Sequence, residues 1–128
     1  MTLRKFIKAL FTPVARASPA NCGERIRSGA ALLVDVREPR EWAGGVAENA
    51  ALLPLSDLTG ARTQWKPFLD AASARELVMY CAVGGRSAIA AKLLAAEGFR
   101  TANGGGLSKW KSAGWPIIKL AEPKQGDP

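Results

Sequence analysis

Three short apolar runs punctuate the chain: Ala31-Leu32-Leu33-Val34-Asp35-Val36, Ala51-Leu52-Leu53-Pro54-Leu55 and Leu77-Val78-Met79-Tyr80-Cys81. None alternates with polar residues, and such runs predict strands buried on both faces, the habit of parallel sheets. Helix-like stretches separate them. Ser18-Pro19 is an N-cap followed by proline at the first helical position, and Gly29 stands where a C-terminal glycine belongs, so a helix is predicted over 19–28. Residues 38–42 read as a short helical turn closed by Gly44-Gly45. Ser56-Asp57 can cap a helix running into the low 70s, with Gly60 and Pro67 against its regularity. The clearest helix is 86–97, where Ile89, Leu93 and Ala96 share a face and Gly98 ends the pattern. A fourth strand is predicted over 99–102 and a last helix over 107–113, after Gly104-Gly105-Gly106. Short strands alternating with helices predict an α/β domain with a mainly parallel sheet, and ligands in such sheets sit beyond the carboxyl ends of the strands.

Length and composition narrow the chemistry. The 128 residues suit one domain, and 48% apolar with 23% charged residues is ordinary globular usage. No apolar run approaches the ~18 residues of a membrane-spanning helix. The chain has no histidine, which removes histidine bases, Cys-His dyads and histidine metal sites together; two cysteines cannot build a four-cysteine zinc site. No metal or cofactor is expected. The net charge of +7 is uneven: residues 1–20 carry Arg4, Lys5, Lys8 and Arg16 and no acid. Without a dense basic stripe interleaved with aromatics, nucleic acid is not an expected partner. Residues 1–17 read as a basic lead-in, either a short amphipathic or disordered segment or a targeting segment. Lys8 and Pro13 interrupt its apolar stretch and favour the plainer reading. The expected location is the cytoplasm, or the periplasm if that segment is an export signal. Residues 18–120 make the domain, and 121–128 a loose polar tail.

The chemistry concentrates in Cys81-Ala82-Val83-Gly84-Gly85-Arg86-Ser87. A strand ends in a thiol, a glycine-containing loop follows, and a helix starts at Arg86 or Ser87. Such a curl turns backbone N–H groups inward into an anion-binding nest, at the positive end of the helix. A sulfur at its centre is stabilised as thiolate. Gly84 and Gly85 permit positive φ, and Arg86 can fork onto an oxyanion. A cysteine at a strand end is by itself most often a small buried apolar residue. It is the order of strand, thiol, loop, cation and helix that turns the reading toward chemistry.

The chain resembles single-domain rhodanese-like proteins, the sulfurtransferase family, over roughly residues 18–118. Leu33-Val34-Asp35-Val36-Arg37-Glu38-Pro39-Arg40-Glu41-Trp42 matches the family's first signature. Val78-Met79-Tyr80-Cys81 with its loop and Arg86-Ser87 matches the active-site signature. Gly105-Gly106-Leu107-Ser108-Lys109-Trp110 with Gly114-Trp115-Pro116-Ile117 matches the last. The resemblance implies an α/β/α sandwich around about five mainly parallel strands. It also implies a Cys81 persulfide that takes a sulfane sulfur from a small anionic donor such as thiosulfate and yields it to cyanide, a thiol or a protein acceptor. The main-chain amides of Ala82, Val83, Gly84, Gly85, Arg86 and Ser87 would steady the sulfur's charge. The loop is one residue shorter between Cys81 and Arg86 than that of the related dual-specificity phosphatases, which favours sulfur over phosphate. A non-catalytic rhodanese-like interaction module or a persulfide-carrier module is the alternative, and the retained Cys81 and Arg86 speak against the interaction module.

One stretch departs from the family. Gly45-Val46-Ala47-Glu48-Asn49-Ala50 stands where Gly-His-Ile-Pro-Gly-Ala is usual, so altered loop packing is expected. Asp35 and Arg37 lie near a strand's carboxyl end, where Asp35 is expected to cap the next turn or pair with a cation. Trp110 reads as core, and Trp42 or Trp115 as a wall of the pocket. Lys109 and Lys111 read as a solvated helix face, with attraction of anionic donors the alternative, and Cys22 as a passive thiol over a resolving one.

Overall fold

In the computed structural model, which describes residues 1–120, the chain begins in a helix. The Thr2 hydroxyl accepts the Lys5 N–H and starts α1 (Leu3–Leu10). There follow β1 (Ala15–Arg16), α2 (Pro19–Ser28), β2 (Ala31–Asp35), α3 (Pro39–Trp42), β3 (Val46–Ala47), β4 (Ala51–Leu52), α4 (Leu55–Leu58), α5 (Trp65–Ala72), β5 (Glu76–Cys81), α6 (Gly85–Ala96), β6 (Thr101–Gly106), α7 (Leu107–Ser112) and β7 (Ile117–Ile118). A five-stranded sheet runs β1-β6-β5-β2-β4, every neighbouring pair parallel, and β3 and β7 form a separate antiparallel pair. This is the expected α/β sandwich. The apolar runs are buried on both faces because side chains alternate across a strand. Leu77, Met79 and Cys81 join one core with α6 and Trp65, while Val78 and Tyr80 join the other with Cys22, Ile26 and Trp110.

Two expectations need correction, and the lead-in 1–17 takes a definite form: the amphipathic α1 packs on α6 through Ala9, and β1 forms the sheet's edge beside Ala102 and Asn103. A two-residue strand has no apolar run to announce it. The long helix from 56 is two helices, because the Asp57 carboxylate turns back to accept the N–H groups of Thr63, Gln64 and Trp65, capping α5 before it can join α4. The fourth strand lies at 101–106, two residues later at its start and carried through Gly104-Gly105-Gly106, whose bare backbones pass under Trp110 and the loop after Cys81. The tail 121–128 lies outside the described residues.

Elsewhere the local signals work as expected. Ser18 and Asn21 exchange side-chain and backbone hydrogen bonds at the start of α2, and Gly29 ends it at φ 84°. The departing stretch 45–50 is held by pairing of β3 with β7, and Asn49 supplies the left-handed turn residue at φ 71°.

Candidate active site

Cys81 ends β5 at the carboxyl edge of the sheet, and its side chain is buried. The chain then curls through Val83, which stands free in solvent, and re-enters as α6. Gly84 makes the curl at φ 101°, and a Cβ there would meet the Gly105 Cα at 3.4 Å, so both conformation and space favour glycine. Gly85 differs from expectation: it has no positive φ, because it is already the first residue of α6.

Two main-chain N–H groups of the loop donate to the Cys81 Sγ, Gly84 at 3.0 Å and Ser87 at 3.4 Å. The Ser87 hydroxyl lies 3.4 Å from the sulfur. Burial pushes the thiol up, but hydrogen bonds from the Ser87 hydroxyl and from the Ser87, Gly84 and Val83 amides outweigh it. The net result is a thiol below its ordinary value. The Ser87 hydroxyl has one proton and several acceptors: Asn103 Oδ1 at 2.7 Å, the Gly84 carbonyl at 3.2 Å and the sulfur. Asn103 holds this arrangement, accepting from the Gly105 N–H and donating to the Gly84 carbonyl.

Arg86 does not point its fork into the loop. Both terminal nitrogens engage the Glu41 carboxylate, at 2.6 and 2.8 Å. The ion pair holds Glu41 at about 2, chiefly through that hydrogen bonding. Asp35 and Arg37 are buried and pair with each other at 2.8 Å, and Asp35 also accepts the Arg37 N–H and the Tyr80 hydroxyl. The expected cap and ion pair are therefore both present. Cys22 is buried in the core on the opposite face from Cys81, with its thiol pushed up by burial. Trp115 packs edge-on against Trp110 in the core and lines a cavity with Gly23 and Arg27, not the one beside the Cys81 loop; Trp42 keeps a buried indole N–H without a partner.

The family model for the rhodanese-like domain matches residues 18–113. The chain belongs to this family.

A sulfurtransferase of Allochromatium vinosum is 37% identical over 89 residues, spanning 68% of this chain and 78% of that protein. An uncharacterized protein of Synechocystis is 35% identical over 104 residues, 80% of this chain, and the chain spans 55% of that relative's length. Among solved structures, a rhodanese-related protein of Thermoplasma volcanium superposes with a TM-score of 0.68 at 30% identity, covering 83% of this chain and 99% of that one. Within the rhodanese-like frame, sequence reasoning missed Glu41 and Asn103. Glu41 lies inside the first signature, but nothing local shows that it meets Arg86, 45 positions away. Asn103 is a polar residue interrupting a strand, a signal that was available. No helix among the described residues is long and apolar enough to cross a membrane.

Proposed function

We propose that this rhodanese-like protein is a sulfurtransferase with Cys81 as its nucleophile. Its support is the environment of one atom: a buried sulfur toward which two backbone N–H groups and a hydroxyl converge, in a loop that ends at a helix N-terminus. The thiolate attacks the outer sulfur of thiosulfate. The new S–S bond takes the place of the donor's own, and sulfite leaves with that bond's electron pair. Cyanide or a thiolate then attacks the outer persulfide sulfur, giving thiocyanate or an alkyl persulfide and returning the Cys81 thiolate. Neither step needs a histidine base, because the hydrogen bonds that hold the thiol below its ordinary value favour the thiolate directly. Backbone donors fixed before the reaction hold the charge as it moves out to the terminal sulfur. Sγ is covered at rest, while the tip of the loop at Val83 stands in solvent.

The deciding measurement is intact mass after incubation with thiosulfate and removal of excess donor. Wild type should gain one sulfur atom and release it as thiocyanate with cyanide, whereas Cys81→Ser should gain none. An unchanged wild-type mass, or turnover of an aryl phosphate in its place, would overturn the assignment.

A further inference from the structure

The cation that the loop carries is already spent. Arg86 gives both fork nitrogens to Glu41, so an incoming anion finds no free guanidinium there. The unspent charge stands on the other side of the loop. Arg16 on β1 and Lys109 on α7 line a cavity of about 230 Å³ with Val83, Gly84, Asn103 and Gly105. Both cations are exposed, and among the described residues neither has a carboxylate partner. The floor is built to stay open. Gly84 and Gly105 both have positive φ and approach each other closely. The Lys109 chain folds over Gly105, its Cδ and Nζ within 3.5 and 3.9 Å of where a Cβ would stand. The floor also touches the reactive atom: the Gly84 N–H is 3.0 Å from Sγ, and Asn103 reaches it through Ser87.

We infer that this cavity is an anion subsite, in which Arg16 and Lys109 hold the negatively charged group of the molecule that exchanges sulfur with Cys81. The inference rests on the proposed nucleophile and adds where its substrates are held. An oxyanion of an inorganic donor and the carboxylate of a thiol acceptor present the same chemistry to two cations. Two positive charges with no fixed counter-charge, beside a concave polar floor, favour such groups over neutral ones.

Alkylation of Cys81 by iodoacetate and by iodoacetamide separates charge from reactivity. In Arg16→Gln/Lys109→Gln the iodoacetate rate at low salt should fall about three- to ten-fold, while the iodoacetamide rate stays within about two-fold of wild type. In wild type the preference should collapse at about 1 M salt, where screening reaches ~3 Å. Slower persulfide loading from thiosulfate in the variant would identify the anion as the donor's. Slower discharge to 3-mercaptopropionate, with discharge to 2-mercaptoethanol unchanged, would identify it as the acceptor's. An unchanged iodoacetate-to-iodoacetamide ratio would overturn the subsite. So would an equal loss in Lys66→Gln/Lys119→Gln, which removes the same charge from residues that do not line the cavity. Wild-type Cys81 inert to both reagents would overturn the proposed function itself, and the subsite with it.

Discussion

Cys81 is governed by groups within two turns of it, and its behaviour follows from counting their protons. Burial opposes the thiolate, while the N–H groups of Gly84 and Ser87 and the Ser87 hydroxyl favour it. Removing the hydroxyl should therefore raise the thiol. Ser87→Ala is expected to move the midpoint of the alkylation pH profile up by about one unit, the size of one hydrogen bond to a charged group. Iodoacetamide rates across pH read this directly, and an unmoved midpoint would show that the hydroxyl proton stays on Asn103. The Arg86–Glu41 pair has the opposite pH signature. Glu41 is depressed from 4.5 to about 2 in the folded protein, so its contribution is full above 4.5 and is lost as pH falls toward 2. Glu41→Gln should lower the melting temperature near neutral pH, and the gap from wild type should close on acidification. A gap independent of pH would mean that the pair contributes through packing rather than charge.

At the scale of elements, the loop is shaped as much by β6 as by its own residues. A Cβ on Gly106 would stand 2.5 Å from the Ala82 carbonyl oxygen and 3.1 Å from the Val83 Cα, backbone against backbone. Gly29, at φ 84°, has nothing within 4 Å of the same position. Gly29→Ala should then cost only its backbone conformation, about 1–2 kcal/mol. Gly106→Ala should cost more and also slow Cys81 alkylation, because β6 and the loop must part to admit the methyl. Urea melts with alkylation rates test the pair, and equal costs with unchanged rates would deny the coupling. The helices show how far local signals reach. Ser18, Pro19 and Gly29 bounded α2 correctly because caps act over three or four residues. The break between α4 and α5 was hidden, because Asp57 reads as a cap for its own helix and in fact caps the next one.

For the whole molecule, the first seventeen residues are the test of what counts as the domain. α1 lies on α6, and β1 completes the sheet beside the strand that carries Asn103. Deleting residues 1–17 should lower the urea midpoint and disturb Ser87 through Asn103, whereas a detached leader would leave both unchanged. The parallel sheet, the buried strands and the thiol-bearing loop were legible in the sequence, because burial on both faces demands continuous apolar runs and helix ends demand particular residues within a turn or so. Packing alone decided the rest. That Arg86 faces Glu41 and leaves the loop, that Asn103 holds Ser87, that Arg16 and Lys109 flank one cavity, and that Cys22 and Cys81 lie on opposite faces of the sheet are all contacts across long stretches of chain. Such contacts depend on which strands become neighbours, and no short window of sequence carries that information.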